Sequence, residues 1–592
     1  MAVRFFCYIF FVLFIFEEVY GDVVPIYDNI RLSEFIPTKA DKQILSERIR
    51  VFEKRFDNEK KMLLRKITSW NYHTDAVDTT YHEVRGSLHY AVALMDYGDE
   101  ICVEKALDII RAVLPLQDKD VNSVSCGVWP YYLEEPLQVK KSPIDYNWAD
   151  FNAVSLLDIY MYHYKKLPEN LKLDIKNSLI LAANAIQKRN CELGYTNIAI
   201  MGTYVTYMVS HLFNIDSMKL YSQKRLKHFY DYTIKKNGFT EYNSPTYTMV
   251  ALDELNRMQR HISEPTAVNM INELYDMGWK MIARHYHTTS GQWAGPHSRA
   301  YPMFVENSFY DVLSQGSGGI VEGGICLPNR DVKIAHTISK SLLRYFTDNN
   351  MYPRMEVDTF EVASPQIIGK TYLTEEYAFG TVSHSCMWTQ RRPFTAYWGT
   401  RKSPSYLRVR LLHDFYDFSS GLIQTKQDKN KSISAITIMA DGGDKHISID
   451  KLQNGKFNAR DLRVRFELGN CTNFVLISLP NSREQKICID NRIYLNIYPL
   501  LMNFGDCKGR WESGYKDGTA WLDYVFYSGN IKAFDLLKIR EAVFSFAFLI
   551  DSSPIHNMEK PSYVYENGML SLQWNELRLK TKVCPSRNVK HY

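Results

Sequence analysis

Apolar residues between about residues 40 and 350 recur at the spacing of amphipathic helices. Within 41–66, for example, Ile49, Phe52 and Phe56 lie three or four residues apart, which places them on one face of a helix. Short polar turns separate these segments, so we expect helical hairpins stacked side by side. The predicted helices are 41–66, 86–97, 102–115, 150–164, 169–189, 197–213, 217–235, 249–261, 266–287 and 331–347.

The pattern changes after about residue 375, where short runs rich in β-branched and aromatic residues are bounded by Gly, Asn, Asp, Pro or Lys. Such runs predict antiparallel strands, and strands that follow helices predict two domains. We therefore expect an α+β chain, with a helical domain over 22–365 and an antiparallel β-sandwich over 366–592. The predicted strands lie within 381–390, 393–400, 405–412, 434–441, 463–470, 473–480, 492–499, 520–527 and 543–551.

The first 21 residues have the pattern of a secretory signal peptide. Arg4 precedes an apolar run over 5–16, and the small residues Val19 and Gly21 suit a cleavage site. The run is too short to span a bilayer, which makes a membrane anchor the weaker interpretation. We expect an extracellular protein with no membrane contact once the signal is removed. Some of the nine remaining cysteines should then form disulfides, and Asn430 and Asn470 lie in glycosylation sequons.

Composition excludes several classes of protein. The 592 residues are 14% aromatic and include 29 Gly and 21 Pro, which is typical of neither a disordered tail nor a collagen-like fibre. The net charge of +5 comes from interspersed charges, so we expect no nucleic-acid partner, whereas an acidic polymer would suit it. No CxxC, HExxH, P-loop or GxGxxG motif predicts a metal or a cofactor, and we expect neither.

Two polar loops at helix starts hold the first candidate residues. Asn147 and Trp148 begin a predicted helix, where the indole could form a flat wall for a sugar ring or be buried behind a helix cap. Asn197 follows Gly194 and Tyr195 at the next such start. Its amide could bind a carboxylate without adding net charge, or it could cap the helix.

Two further loops contain more residues that could transfer protons or bind a charged group. The loop over 237–247 contains Glu241, Tyr242, Asn243 and Tyr247, and the plainer interpretation is a turn with a helix cap. The loop over 291–301 carries Trp293 and then the alternating residues His297, Arg299 and Tyr301, which would share one face of an extended segment. Alternatively, Arg299 bridges to the second domain.

Three motifs carry a resemblance to a known family. YTNIAIMGTY (195–204), GFTEYNSPTYT (238–248) and WAGPHSRAY (293–301) look most like the toroid-type alginate and glucuronan lyases. This group is related to heparinase II/III-type enzymes and to hyaluronate and chondroitin lyases. The resemblance covers roughly residues 80–400. It implies an incomplete α/α toroid followed by β-sheets, and cleavage of a uronic-acid-containing polysaccharide by metal-independent β-elimination.

The resemblance also implies roles. Asn197, Asn243 and Arg299 would neutralise the uronate carboxylate. His297 and a tyrosine, either Tyr247 or Tyr301, would exchange protons with the sugar. The remaining candidates are substrate contacts: Asn147, Trp148, Glu241, Tyr242 and Trp293. One departure is that hyaluronate-type lyases have a histidine in the loop corresponding to 237–247, where this chain has Tyr242.

Two other functions remain open at this point. An inverting glycoside hydrolase on a helical toroid would need two opposed carboxylates, for which Asp150, Glu241 and either Asp253 or Glu254 are available. A secreted glycan-binding protein could keep the tryptophans and lack catalysis. Because the loops are richer in Tyr, His, Arg and Asn than in acids, elimination is favoured.

Overall fold

The structure of the protein is a computed structural model. It describes residues 29–32, 34–69, 71–323, 331–363, 365–444, 446, 449, 452–476, 484–555 and 559–586. The predicted signal peptide and Cys326 lie outside these residues. Within them, no helix combines the length and the apolar character that crossing a membrane requires.

The N-terminal half consists of helical hairpins arranged in two layers. Helices α2, α4, α6 and α8 contact one another in succession and form the inner layer, and each pairs with the helix that follows it. Every residue of α6 is buried, whereas α3 and α9 bury one face only. This arrangement is the predicted incomplete α/α toroid. The helices are α1 Lys39–Glu53, α2 Val84–Tyr97, α3 Glu100–Val113, α4 Asn147–Tyr162, α5 Glu169–Arg189, α6 Thr196–Leu212, α7 Asp216–Lys236, α8 Tyr247–His261, α9 Pro265–His285, α10 Asn307–Gly316 and α11 Arg344–Thr347.

Two predicted helices differ from the structure. The first part of the helix predicted over 41–66 is confirmed, but the helix ends at Glu53, and the chain beyond it turns at Lys61, whose φ is 55°, and forms strands. Most of the segment predicted as helix over 331–347 is irregular. Its side chains bond to the helical core, with Lys333 paired to Asp96 of α2 and Asp331 paired to Arg257 of α8 at 2.9 Å, and these contacts replace helical hydrogen bonds. Helix α10 was not predicted.

The C-terminal half contains two large antiparallel sheets packed face to face. Phe394 and Phe466 of the first sheet meet Phe548 and Phe546 of the second at ring distances of 5.1 Å each. These contacts confirm the predicted β-sandwich. The strands of the first sheet, in spatial order, are β19 Arg510–Lys516, β20 Thr519–Asp535, β15 Lys456–Gly469, β11 Ser403–His413, β10 Phe394–Thr400, β8 Tyr377–Val382, β7 Ile367–Leu373 and β6 Arg354–Glu361, with β12 Tyr416–Asp417 beside β11.

The second sheet carries a small third sheet on its outer face, where Tyr498 meets Trp574 at 5.6 Å. In spatial order the second sheet is β16 Phe474–Leu476, β17 Gln485–Ile489, β18 Ile493–Phe504, β21 Ala542–Asp551, β14 Lys431–Ile438, β13 Gly421–Asp428 and β9 His384–Cys386. The remaining strands are β1 Phe56–Asp57, β2 Met62–Ile67 and β3 Thr79–Glu83, the pair β4 Tyr286–His287 and β5 Gln292–Trp293, and the third sheet β22 Ser562–Glu566, β23 Met569–Trp574 and β24 Leu577–Lys582.

The first strand of the sandwich begins at Arg354, directly after a helical turn over Asn349–Met351. The predicted boundary at residue 365 lies between β6 and β7 of the first sheet. The eight described cysteines form no disulfide with one another, contrary to expectation. Of the two sequon asparagines, Asn430 donates its amide to the Ile550 carbonyl at 3.0 Å, and Asn470 donates to the Pro404 carbonyl at 2.7 Å.

Candidate active site

The segment over 294–300 lies in the seam between the two halves of the molecule. On the helical side, Asn243 donates to the main-chain oxygens of Ala294 and Pro296 at 2.9 and 2.8 Å. On the β side, the main chain of His297 pairs with that of Arg392 at 3.0 and 2.9 Å. Main-chain and amide bonds from both halves thus fix this segment, and its side chains are positioned by both.

Arg299 is the centre of the site. Its guanidinium donates to Gln390 Oε1 at 2.7 Å, to Glu241 Oε1 at 3.3 Å and to the Tyr247 hydroxyl at 3.1 Å. It also lies 4.7 Å from the Tyr247 ring centroid and 5.1 Å from that of Trp388. Gln390 and Trp388 belong to the β half, so both interpretations of Arg299 apply. It joins the two domains and presents a charge beside a phenol.

Tyr247 and Tyr301 form a hydroxyl pair beside Arg299. Their oxygen atoms are 2.7 Å apart, and either can donate. Burial raises the pKa of Tyr247, although Arg299 acts against this shift by stabilising the phenolate. Tyr301 is 52% exposed, so its phenol is the member of the pair that a ligand would reach.

Glu241 and Asn197 add unsatisfied polar atoms on the other side of Arg299. Burial raises the pKa of Glu241 to about 7, although Arg299 and the Asn197 N–H favour the carboxylate. Glu241 Oε2 and Asn197 Oδ1 are buried and have no hydrogen-bond partner among the described residues. Buried polar atoms are normally paired, so these two are suited to a ligand that completes their hydrogen bonds.

His297 is buried in the seam between the two halves. Its side chain is 2% exposed, and Nδ1 lies 2.7 Å from the Asn243 carbonyl oxygen. Burial lowers the pKa of His297 to about 3, so the imidazole is neutral at ordinary pH. The ring packs in the seam, and its Nε2 has no hydrogen-bond partner among the described residues. A role of His297 in proton transfer stays a prediction.

Three predicted substrate-binding residues are also structural. The Asn243 amide holds the 294–300 segment and accepts the Trp293 indole N–H. Trp293 is 1% exposed, and Tyr242 stacks on Phe360 at 4.0 Å between the halves. None of the three presents a surface to a ligand, because each is buried, and their contacts with a substrate stay predictions.

The predicted wall of Asn147 and Trp148 is covered as well. Tyr131 stacks on the Trp148 indole at 3.7 Å, and the tryptophan is 9% exposed. Asn147 accepts from Arg189 at 2.7 Å and donates to the Tyr195 hydroxyl at 3.2 Å. The flat aromatic face is therefore occupied by another side chain of the protein.

The carboxylates required by a hydrolase are dispersed. Asp150 is 1% exposed and 3.9 Å from Arg189, and Glu254 is 3.4 Å from Arg257. Of the acids considered for that chemistry, Glu241 is the one bonded to Arg299. The described residues contain no group of three or more His, Cys, Asp or Glu side chains that could hold a metal ion.

Sequence reasoning missed the contribution of the β half. Gln390 and Trp388 lie in a predicted strand, but the chain leaves the sheet after Cys386 and its next strand begins at Phe394. Tyr72, from the segment after β2, meets this loop through His446, whose ring is 5.5 Å from that of Tyr72 and 4.6 Å from that of Trp388. Residues 381–390 have the aromatic and polar pattern that is typical of a strand. The sequence alone therefore gave no reason to place Trp388 and Gln390 in a loop.

One family model and several solved structures are similar to this chain. A family model described as a domain of unknown function (DUF8769) matches residues 42–324, the span that holds all the predicted site residues. A search of curated proteins finds no match. Among solved structures, the chain is similar to a heparan sulfate lyase HepC mutant from Pedobacter heparinus, with 9% identity, a TM-score of 0.41 and coverage of 93% of this chain and 90% of that one.

Two other solved structures are similar at the same level. Heparinase III shares 8% identity with a TM-score of 0.45, covering 94% of this chain and 93% of that one. A chondroitin AC lyase from Streptomyces coelicolor A3, in complex with chondroitin sulphate, shares 8% identity with a TM-score of 0.47, covering 91% and 85%. Heparinases and chondroitin lyases are the groups to which the alginate and glucuronan lyases of the sequence resemblance are related. Similarity this low carries no activity to the chain, because one fold hosts many functions.

Proposed function

We propose that the chain is a secreted lyase that cleaves a uronic-acid-containing polysaccharide by β-elimination. The observation that carries the proposal is the position of Arg299, which is bonded at once to Glu241 and to Tyr247, whose hydroxyl meets the exposed phenol of Tyr301. A cation, a buried acid and a phenol pair are the groups that such an elimination requires.

Carboxylate neutralisation is the first requirement, since an ionised uronate holds the proton on carbon 5 tightly. The side-chain N–H of Asn197 would donate to one carboxylate oxygen. Glu241, whose pKa is raised to about 7 by burial, would donate as a neutral acid to the other. Arg299 then stabilises the negative charge that develops as the proton leaves. These groups would neutralise the carboxylate without a metal ion.

Proton transfer is the second requirement. Tyr301 as phenolate would take the carbon 5 proton, stabilised by the hydroxyl of Tyr247 at 2.7 Å. The electron pair of the broken C5–H bond forms the C4=C5 double bond, and the bond from carbon 4 to the glycosidic oxygen breaks. Tyr301 then returns the proton to that departing oxygen, so the enzyme ends in the phenolate state in which it began.

The net charge of the chain supports the proposed substrate class, and the sequence of residues 1–21 supports the proposed location. The net charge of +5 suits an acidic polymer. Residues 1–21 have the pattern of a signal peptide, and we propose that they direct the chain out of the cell.

Incubation of the purified protein with a panel of polymers tests the proposal. The panel is alginate, glucuronan, hyaluronan, chondroitin sulfate and heparan sulfate, and ultraviolet absorbance follows the unsaturated uronate. The proposal predicts a rise with at least one polymer, unchanged by a metal chelator. Reducing ends without the absorbance would indicate hydrolysis, and binding without either product would indicate a glycan-binding protein.

A further inference from the structure

A small cavity lies in the β half, beside the loop that carries Gln390. Four arginines line it, and the space between them is about as large as one water molecule. The arginines are Arg391 and Arg392 at the end of the loop and Arg408 and Arg410 on β11. Four guanidinium groups around so small a space repel one another unless anions balance them.

The carboxylates around the cavity balance three of the four arginine charges. Arg391 pairs with Asp444 at 3.3 Å, Arg408 with Glu467 at 2.6 Å and Arg410 with Asp417 at 2.7 Å. Glu467 also accepts from Arg410 at 2.7 Å, so these three carboxylates are shared among three arginines. Within the described ranges, no carboxylate is paired with Arg392.

Arg392 is buried with neutral partners. It is 5% exposed and donates to the main-chain oxygens of Thr389, Arg391 and Tyr301 and to the sulfur of Met303. Burial and the neighbouring charge of Arg408 lower the pKa of Arg392 to about 10. A cation in this position is costly unless a counter-ion joins it.

Arg408 has N–H groups that are not used in hydrogen bonds to the described residues. Its Nε donates to Glu467, and no hydrogen bond joins its two terminal nitrogens to any part of the chain that the structure describes. The cavity is therefore lined both by Arg408, whose terminal N–H groups are free of hydrogen bonds to the described residues, and by a buried cation without a counter-charge. A water molecule could accept from Arg408, but only an anion would also balance the unpaired charge of Arg392, and the space limits it to a single small ion.

We propose that chloride binds in this cavity, between the guanidinium groups of Arg392 and Arg408. The bound ion supplies the missing negative charge and accepts the free donors of Arg408. Because Arg392 also donates to the Tyr301 carbonyl at 3.2 Å and pairs with the His297 main chain, the ion stabilises the segment that carries Tyr301. The site does not depend on the proposed lyase activity.

Thermal unfolding in matched salts tests the chloride site. Sodium chloride should raise the unfolding midpoint of the full chain in a saturable way, whereas sodium gluconate of equal ionic strength should not, because its anion is too large for the cavity. R408Q should lose the chloride-specific increment. The control R510Q removes an exposed arginine of the same half and should keep it. Equal responses to both salts, or an unchanged increment in R408Q, would overturn the proposal.

Crystals of the unmodified protein grown in sodium bromide give a second test that does not depend on a variant folding. Bromide replaces chloride and scatters anomalously, so a peak should lie between the guanidinium groups of Arg392 and Arg408. A cavity without this peak, in crystals that show bromide elsewhere, would contradict the proposal.

Discussion

Arg299 links two functions that are often carried by different residues. Its contacts with Gln390 and Trp388 attach the helical half to the β half, while its other two hydrogen bonds reach Glu241 and Tyr247. The residue types at this point were predictable from the sequence as a cluster of Tyr, Arg and Glu. Burial was not, which is why His297, Asn243 and Trp293 were expected to face a ligand although they pack the seam.

Replacing Tyr301 by phenylalanine removes the exposed phenol and leaves its ring in place. Turnover should fall by about 10²–10⁴-fold, the usual contribution of a positioned acid–base group. Tyr164→Phe is the matched control, since it removes another partly exposed phenol (44% exposed) outside the site. Steady-state rates on the substrate polymer measure both variants. Wild-type turnover in Tyr301→Phe with an intact fold would rule out this role.

The protonation of Glu241 should set the alkaline limb of the pH profile. With a pKa of about 7, the acid is neutral below that pH and can donate to the uronate. Above it the carboxylate repels the substrate and cancels the charge of Arg299. We expect kcat/KM to decline as pH rises through about 7. Glu241→Gln, which stays neutral and keeps a donor, should lose this decline. The same alkaline limb in both proteins would contradict the role.

At the scale of elements, the segments that were predicted correctly are those in which apolar residues recur at a regular spacing. Helix α5 begins and ends where it was predicted, at 169 and 189, because its apolar face is continuous and its ends carry Pro168 and Asn190. The helix predicted over 41–66 failed beyond Glu53, since short strands and helices share apolar spacings over a few residues. The loop over 387–393 was hidden in an apparent strand, because its position depends on contacts with the distant segment 294–300.

Close packing between β8 and the 294–300 segment gives an element-scale prediction. A Cβ atom at Gly380 would lie 1.9 Å from the main-chain oxygen of Gly295, so Gly380→Ala must displace one of the two backbones. Overpacking of this kind typically costs about 1–3 kcal/mol. We expect turnover to fall at least about tenfold, because a shift of the reacting groups by about 1 Å can cost 10²-fold.

The control for this change is Gly529→Ala in β20, where the nearest atom to the new Cβ is 3.5 Å away. It should keep both activity and stability. Circular dichroism and turnover together separate the outcomes. If Gly380→Ala folds and retains full turnover, the seam does not position the reacting groups.

At the scale of the whole molecule, buried charge is distributed in both halves. Burial raises the pKa values of Asp150, Glu241 and Glu254 to about 7 each. In contrast, Arg408 and Arg410 lower that of Glu467 to about 2, against the effect of burial. The three acids with raised pKa values bind protons on folding, so their contribution to stability falls as pH rises. Glu467, with its lowered pKa, releases a proton on folding, so its contribution falls as pH is lowered.

Asp150 isolates one of these contributions. Because its pKa is higher in the folded state than in the unfolded chain, its stabilising contribution is complete below about pH 4 and is lost as pH rises to about 7. Asp150→Asn removes the ionisation and retains the shape. At pH 8 it should increase the free energy of unfolding by about 2–4 kcal/mol, with little change at pH 4. Denaturant titrations at the two pH values measure this, and equal effects at both would refute the assignment.

The mass of the reaction product tests the central claim most directly. After incubation with the polymer that responds, mass spectrometry of the released oligosaccharides distinguishes the two ways of breaking the chain. Elimination predicts a non-reducing end with a C4=C5 double bond, lighter by one water than the product of hydrolysis. We expect that unsaturated product from the wild-type protein and almost none from Tyr301→Phe. A product carrying the full mass of the added water would contradict the lyase account.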